Sequence, residues 1–421
     1  MTEILQKVLQ YQYQLQTQTQ VPVWSIASEE VVYATARDKK PAYGKRSQWL
    51  AFIFFMSEKL YIADLLIFSI GLSRLFSIFR KIPKKTISKT CQFKKVFIYF
   101  NVSSMEYVYK ICQNATEESM LSIHLPSFIG AEKIGRPALL QCIIELARHA
   151  FGHSAKLKTT IPEIKKYKKH FLTVCARNIG DYVFFHLFWK MASSKGVKEA
   201  IFLSLHASTY ACTESKVKSF LFQHGLLNLG LLMPKVDHMY VLTTIEAMHL
   251  KKLMPNTKSE LIKQTILLET QKKNVVIVLL PKLPYQRHYP VISNFIDWAK
   301  QKNLTVVIRP TNKATQNEVS VYSTQFFQCL VDDIKRSIND SLSFWQPKFV
   351  AAWTSTCLST AIENGILPIS FMSKEDPLWD QMIYPLRKRV LYWPSESETI
   401  AETLTSVDKY QERVLYLQQQ V

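Results

Sequence analysis

Short apolar runs rich in β-branched and aromatic residues recur along this chain, with stretches of helical spacing between them. KVFIYFN (95–101), SMLSIHL (119–125), AIFLSLH (200–206), SFLFQH (219–224) and HMYVLT (238–243) form one set. NVVIVLLP (274–281), LTVVIRP (304–310), KFVAAW (348–353), LPISFM (367–372) and RVLYW (389–393) form a second. Strands that alternate with helices are joined by crossovers, so they lie parallel, with helices packed on the sheet faces. The pattern predicts the α/β class, with two βα-repeating domains in tandem. A length of 421 residues agrees, being too long for a single core.

The spacing places helices at 138–151, 167–192, 245–254, 291–303 and 324–340, with another beginning near Ser355. On this reading TQFFQCLVDDIKRSIND (324–340) is one helix, and Asp332 and Asp333 are its solvated face. MPNTKSE (254–260) begins a hinge. The expected organisation is an N-terminal, mostly helical segment (1–94), a first βα domain (95–255), a linker and helix (256–273) and a second βα domain (274–421).

Lys and Arg total 53 against 33 Asp and Glu, a net charge of +20 that favours phosphate-bearing partners or anionic lipid. Eight basic residues and no acidic one lie between Arg74 and Lys95, directly after the apolar stretch 49–79. Glu58, Lys59 and Asp64 interrupt that stretch short of the ~20 apolar residues of a membrane span. An apolar helix beside such a cluster suits an anionic leaflet, and burial in a core is the competing reading. Lys165, Lys166, Lys168 and Lys169 add a second basic cluster. The polar, Gln-rich N-terminus carries no secretory signal, and seven cysteines without metal-ligand spacing read as reduced thiols. A cytoplasmic chain, peripheral at the inner membrane, is expected. A nucleic-acid partner is not, because the basic clusters avoid the strand-end loops and no RRM, KH or zinc-finger pattern occurs.

Parallel sheets bind ligands beyond the carboxyl ends of their strands. Three loops there stand out. Gln223-His224-Gly225 places a glycine where backbone can approach a ligand, beside an imidazole able to donate to a leaving oxygen. Arg309-Pro310-Thr311-Asn312-Lys313 supplies cations. Thr354, Ser355, Thr356, Ser359 and Thr360 put five hydroxyls where a strand passes into a helix, whose amides and dipole favour an anion; an ordinary helix cap is the bland alternative. Glycine is absent between Gly230 and Gly365, so this half holds neither a P-loop nor a GxGxxG turn.

Three segments, GVKEAIFLSLHASTYACTESKVKSFLFQHGLLN, LTVVIRP and KFVAAWTSTCLSTAIENGILPIS, resemble bacterial glycosyltransferases of GT-B architecture that build capsule, O-antigen and related surface polysaccharides. Polysialyltransferases and other users of CMP-activated acidic sugars are the nearest comparison, and the likeness covers about residues 195–372. It implies two Rossmann-like domains facing a cleft, with the donor nucleotide in the second and the acceptor, a lipid-linked oligosaccharide or polysaccharide, in the first. It implies Ser355 and Thr356 at the phosphate with Gln223, Gly225, Arg309, Lys313 and Thr354 about it, Glu363 near the ribose or in the helix packing beneath, and His224 facing the cleft. The family's His-Pro histidine is Arg309 here, and its acidic-acidic-glycine signature is missing. For a catalytic base, Glu145, Asp181 and His206 join His224 as candidates. No tightly bound cofactor or metal is expected; the donor is a nucleotide sugar, CMP-linked in preference to UDP or GDP. A non-catalytic partner in polysaccharide assembly and a basic nucleic-acid-binding protein are the competing functions.

Overall fold

The computed structural model describes residues 62–82, 93–99, 120–151, 168–203, 206–222, 234–241, 243–261, 272–280, 289–310, 314–353, 355–376 and 384–420. They form two compact units, the first reaching Val241 and adding Ala247–Glu260, the second comprising Leu242–Glu246 and Leu261–Val421. Each is α/β, as the alternating pattern predicts.

The first unit contains α1 (Ala63–Lys81), β1 (Lys95–Tyr99), β2 (Met120–His124), α2 (Leu139–Ala150), α3 (Lys168–Ser194), β3 (Glu199–Phe202), α4 (Ala207–Cys212), β4 (Lys218–Phe222), β5 (His238–Val241) and, apart from Thr244–Glu246 and Leu261, α5 (Thr244–Leu253) and β6 (Lys258–Leu261). Its sheet runs β2-β1-β3-β4-β5-β6, with parallel pairing from β2 through β5. Strand order reverses between β1 and β3, which makes the carboxyl ends of that pair the topological switch point. The presence of β6 corrects the expected linker, since Lys258–Leu261 belongs to this sheet.

Tyr182, Val183, Phe184, Phe185, Phe188 and Trp189 are all buried, so the 182–189 stretch of α3 packs apolar side chains on several sides inside the unit. It crosses α1 at two glycines. A Cβ on Gly180 would lie 2.6 Å from the Gly71 carbonyl oxygen, so the backbones touch there and no side chain fits between them. The next residue, Asp181, thereby meets Arg74 at 2.8 Å. Ala63, Ile67, Leu75, Ile78 and Phe79 of α1 are buried, so the described part of the expected N-terminal extension is core. Because backbone is the obstacle, Gly180→Ala is expected to cost the first unit about 1–3 kcal/mol, measured by urea unfolding.

The second unit contains β7 (Lys273–Leu279), α6 (Tyr289–Gln301), β8 (Thr305–Arg309), α7 (Gln316–Gln325), β9 (Leu330–Val331), α8 (Ile338–Trp345), β10 (Pro347–Ala352), α9 (Thr356–Glu363), β11 (Leu367–Ser370), α10 (Tyr384–Arg387), β12 (Leu391–Tyr392), α11 (Ser397–Glu402) and α12 (Val407–Gln419). The sheet order is β12-β11-β10-β7-β8-β9, with every pairing parallel. Read from the other edge, this is the 3-2-1-4-5-6 order of dinucleotide-binding sheets, with its switch point between β7 and β10. Ile277 lies between Val307 and Val350 in register, and all three are buried, which is why the central strands read as unbroken apolar runs.

The single helix expected over 324–340 is corrected. A capping box of Thr315 and Glu318 starts α7 early, and a second, of Ser337 and Asp340, starts α8. Between them runs β9, after which Asp332 turns inward with its side chain fully buried. The reading of Asp332 as part of a solvated face is wrong for the same reason: its carboxylate is an internal counter-ion.

Candidate functional site

At the carboxyl edge of the second sheet, β10 leads through Trp353 to Ser355, the N-cap of α9. Ser355 has extended backbone (φ −157°), and its Oγ accepts the Cys357 amide at 3.1 Å. The helix therefore starts beside the β7/β10 switch point, with the positive end of its dipole at the strand ends. One turn along the same face, Ser359 is buried, and its hydroxyl has no hydrogen-bond partner among the described residues. Burial raises the pKa of the Cys357 thiol, only partly offset by Ser355 and by the charge of Arg309, which places Arg309 near this first turn.

The phosphate-binding role expected of Arg309 needs correction. Its guanidinium is buried and forms an ion pair with Asp332. It also donates to Ser341 Oγ at 2.6 Å and to the Arg336 carbonyl at 2.7 Å. Asp332 further accepts from Ser341 Oγ at 2.5 Å and Trp345 Nε1 at 2.8 Å. Burial by itself would raise the Asp332 carboxyl; hydrogen bonds from Ser341, Trp345 and Arg309, with the arginine's charge, outweigh it and hold the group below the ordinary aspartate range. Most of the Arg309 charge is thus spent on fixing β8 to β9 and α8.

Glu363, at the last turn of α9, meets Arg389 at 2.8 Å. The Arg389 side chain is buried and also donates to the carbonyls of Leu417 and Gln418, so Glu363 ties α9 to α12. Gln223, His224, Gly225, Lys313 and Thr354 lie outside the described residues, as does the Thr356 side chain.

Among the base candidates of the first unit, His206 stands at the carboxyl end of β3, next to that sheet's switch point. Its Nδ1 accepts the Ser208 amide at 3.2 Å, capping α4. An Nδ1 used as acceptor leaves the proton on Nε2. Burial, aided by the nearby Arg74 charge, lowers its pKa to about 3, so at neutral pH it is an uncharged donor and not a base. Asp181 is paired with Arg74. The same arginine thus adjoins both candidates. Glu145 lies apart on α2, where Arg148 meets it at 2.7 Å and His149 at 3.9 Å. Each of the two acids therefore already has an arginine partner. In the sequence Arg74 is marked only as the first of the basic cluster 74–95, and nothing there signals its pairing with Asp181. Among the described residues no group of His, Cys, Asp and Glu could hold a metal ion, and no helix is long and apolar enough to cross a membrane.

No protein-family model matches the chain, and no curated protein matches it. Among solved structures it is similar to the S. aureus MnaA–UDP co-structure, with 9% identity, 77% of this chain and 91% of that one covered, and a TM-score of 0.43. It is similar also to the UDP-GlcNAc 2-epimerase from Neisseria meningitidis bound to UDP-GlcNAc (9% identity, 76% and 94% covered, TM-score 0.42). A third is the Acinetobacter baumannii MurG (6% identity, 78% and 95% covered, TM-score 0.42). Likenesses this distant carry no argument about activity.

Proposed function

We propose that this protein is a glycosyltransferase that binds a nucleotide-activated sugar at the carboxyl edge of its second sheet and transfers the sugar to a surface-polysaccharide acceptor. The observation that carries the reading is the Ser355-capped start of α9 beside the switch point of a sheet in dinucleotide-binding order. A nucleotide phosphate suits that position, because the amides and dipole of α9 favour an anion there without a glycine-rich loop. The sequence resemblance supports a CMP-linked acidic sugar as donor and an inverting, metal-independent reaction.

In that reaction the acceptor hydroxyl gives its proton to a base and attacks the anomeric carbon. The bond from that carbon to the phosphate oxygen breaks, and the nucleotide departs with the electron pair. The departing charge falls on the first turn of α9, with the Ser355 hydroxyl beside it. With Glu145 and Asp181 held by arginines and His206 protonated on Nε2, His224 is the remaining candidate for the base. Peripheral membrane attachment fits the exposed Ile62, just before α1, and Leu65 and Phe76 of α1, which precede exposed Arg80 and Lys81. A non-catalytic role in polysaccharide assembly is favoured by one observation, the same commitment of Glu145, Asp181 and His206 to internal partners.

The test is thermal unfolding with CMP, CDP, UMP, UDP, GDP and dTDP. CMP is expected to raise the midpoint, since a ligand at a hundredfold excess over its Kd stabilises by about 2.7 kcal/mol. Ser355→Ala should cost about 0.5–2 kcal/mol through the lost cap and shrink the CMP effect. A response to UDP or GDP alone keeps the enzyme but discards the CMP donor. If no nucleotide moves the midpoint, the non-catalytic reading replaces the enzyme.

A further inference from the structure

The second unit contains a cavity of about 870 Å³ at the opposite edge of its sheet, where the strands begin. One wall carries Lys272, Lys273 and Lys348, at the starts of β7 and β10. The other is the Val407, Val414 and Leu415 face of α12. Tyr410 builds the floor: its hydroxyl donates to the Lys348 carbonyl at 2.7 Å and accepts the Leu367 amide at 3.3 Å, which clamps α12 onto β10 and β11.

The two walls differ in kind. Among the described residues no carboxylate lines the cavity, Asp408 and Glu412 of α12 included. Asn364 and Gly365 bring in the carbonyl end of α9, a negative partial charge of about half a unit, which the ammonium groups of Lys273 and Lys348 outweigh. Val407 and Leu415 are 60% and 55% exposed, large apolar side chains left facing solvent beside concentrated positive charge. A simple anion would use only the lysines, and an apolar ligand only the helix.

We propose that this cavity binds a phosphorylated amphiphile, its phosphate held among Lys272, Lys273 and Lys348 and its apolar part lying along Val407, Val414 and Leu415. The site is separate from the donor position: the length of β10 lies between Lys348 and Ser355, on the order of 20 Å at ~3.3 Å per residue. It therefore stands whether or not the donor reading does.

Calorimetric titration of the full chain with monomeric dihexanoyl phosphatidic acid tests it, with inorganic phosphate as the comparison. The short-chain lipid should bind and inorganic phosphate should bind at least about tenfold more weakly, because it reaches only the lysine wall. Lys273→Glu with Lys348→Glu should weaken lipid binding about thirtyfold or more, and Leu415→Asp about fivefold. Lys273 and Leu415 are surface residues, and melting curves check that the variants fold. Phosphatidylcholine vesicles with and without phosphatidic acid separate the sources. Variant-sensitive recruitment to the acidic vesicles identifies a membrane lipid, whereas binding of the short-chain lipid without recruitment identifies a soluble phosphate ester. Absence of lipid binding, binding that survives the charge reversal, or inorganic phosphate binding as tightly as the lipid would each overturn the proposal. So would loss of the CMP response in the lysine variant, which would make the cavity part of the nucleotide site.

Discussion

Asp332→Ala is expected to lower the stability of the second unit by about 3–5 kcal/mol, the range for removing one partner of a buried ion pair. The Asp332 side chain is fully buried and its carboxylate is shared by Arg309, Ser341, Trp345 and Arg336. Without it, Arg309 stays buried with only neutral acceptors, and Arg336 loses the anion that lies between the two cations. Urea titration read by hydrogen exchange in β8 and β10 reports this unit without assuming that the chain unfolds in one step. The pH dependence follows from the lowered pKa. Its stabilising contribution is complete above the ordinary aspartate value of ~3.9, and it is lost as the pH falls from there through the lower folded value. Wild type should therefore lose stability across that acid window, and Asp332→Ala should lack this component. A variant as stable as wild type would mean the network is not the anchor of β9 and α8.

Trp189→Ala is expected to cost the first unit about 3–5 kcal/mol, as for other fully buried large aromatic residues. The indole is buried against Phe188 and Phe202, and its Nε1 donates to Ser208, at 3.1 Å to the carbonyl and 3.2 Å to the hydroxyl. Ser208 lies in the first turn of α4, beside the His206 cap, so the substitution also loosens the loop at the carboxyl end of β3. Trp189→Phe keeps most of the ring and drops the donor, for a smaller cost of about 1–3 kcal/mol. Equal losses for the two variants would assign the whole effect to the hydrogen bond and contradict the packing account.

These two residues mark the boundary of what the sequence tells a reader. Val275, Val276, Ile277 and Val278 form a buried run, and a buried parallel strand is a local signal. The same holds for β8 and β10, whose apolar runs need no partner to be read. The partner of Arg309 stands 23 positions away and that of Arg74 107 positions away, so neither pairing leaves a mark in spacing. The strand β9 is two residues long and both are exposed, which is why a helix was expected across it. A local signal does exist in α12: Ser406 caps it, and Tyr410, Val414 and Leu417 recur at helical spacing on its buried side. At the candidate site, the hydroxyl run from Thr354 to Thr360 correctly marks a strand-to-helix junction. In sequence a cation at a strand end looks alike whether it faces a ligand or a buried aspartate, and Arg309 faces the aspartate.

Hydrogen–deuterium exchange with and without saturating CMP shows whether a nucleotide phosphate rests on the start of α9. Exchange is expected to slow in the first turn of α9, at Thr356, Cys357 and Leu358, with Ser355→Ala reducing the effect. Saturation with CMP that leaves these amides unchanged while protecting another region would contradict that placement.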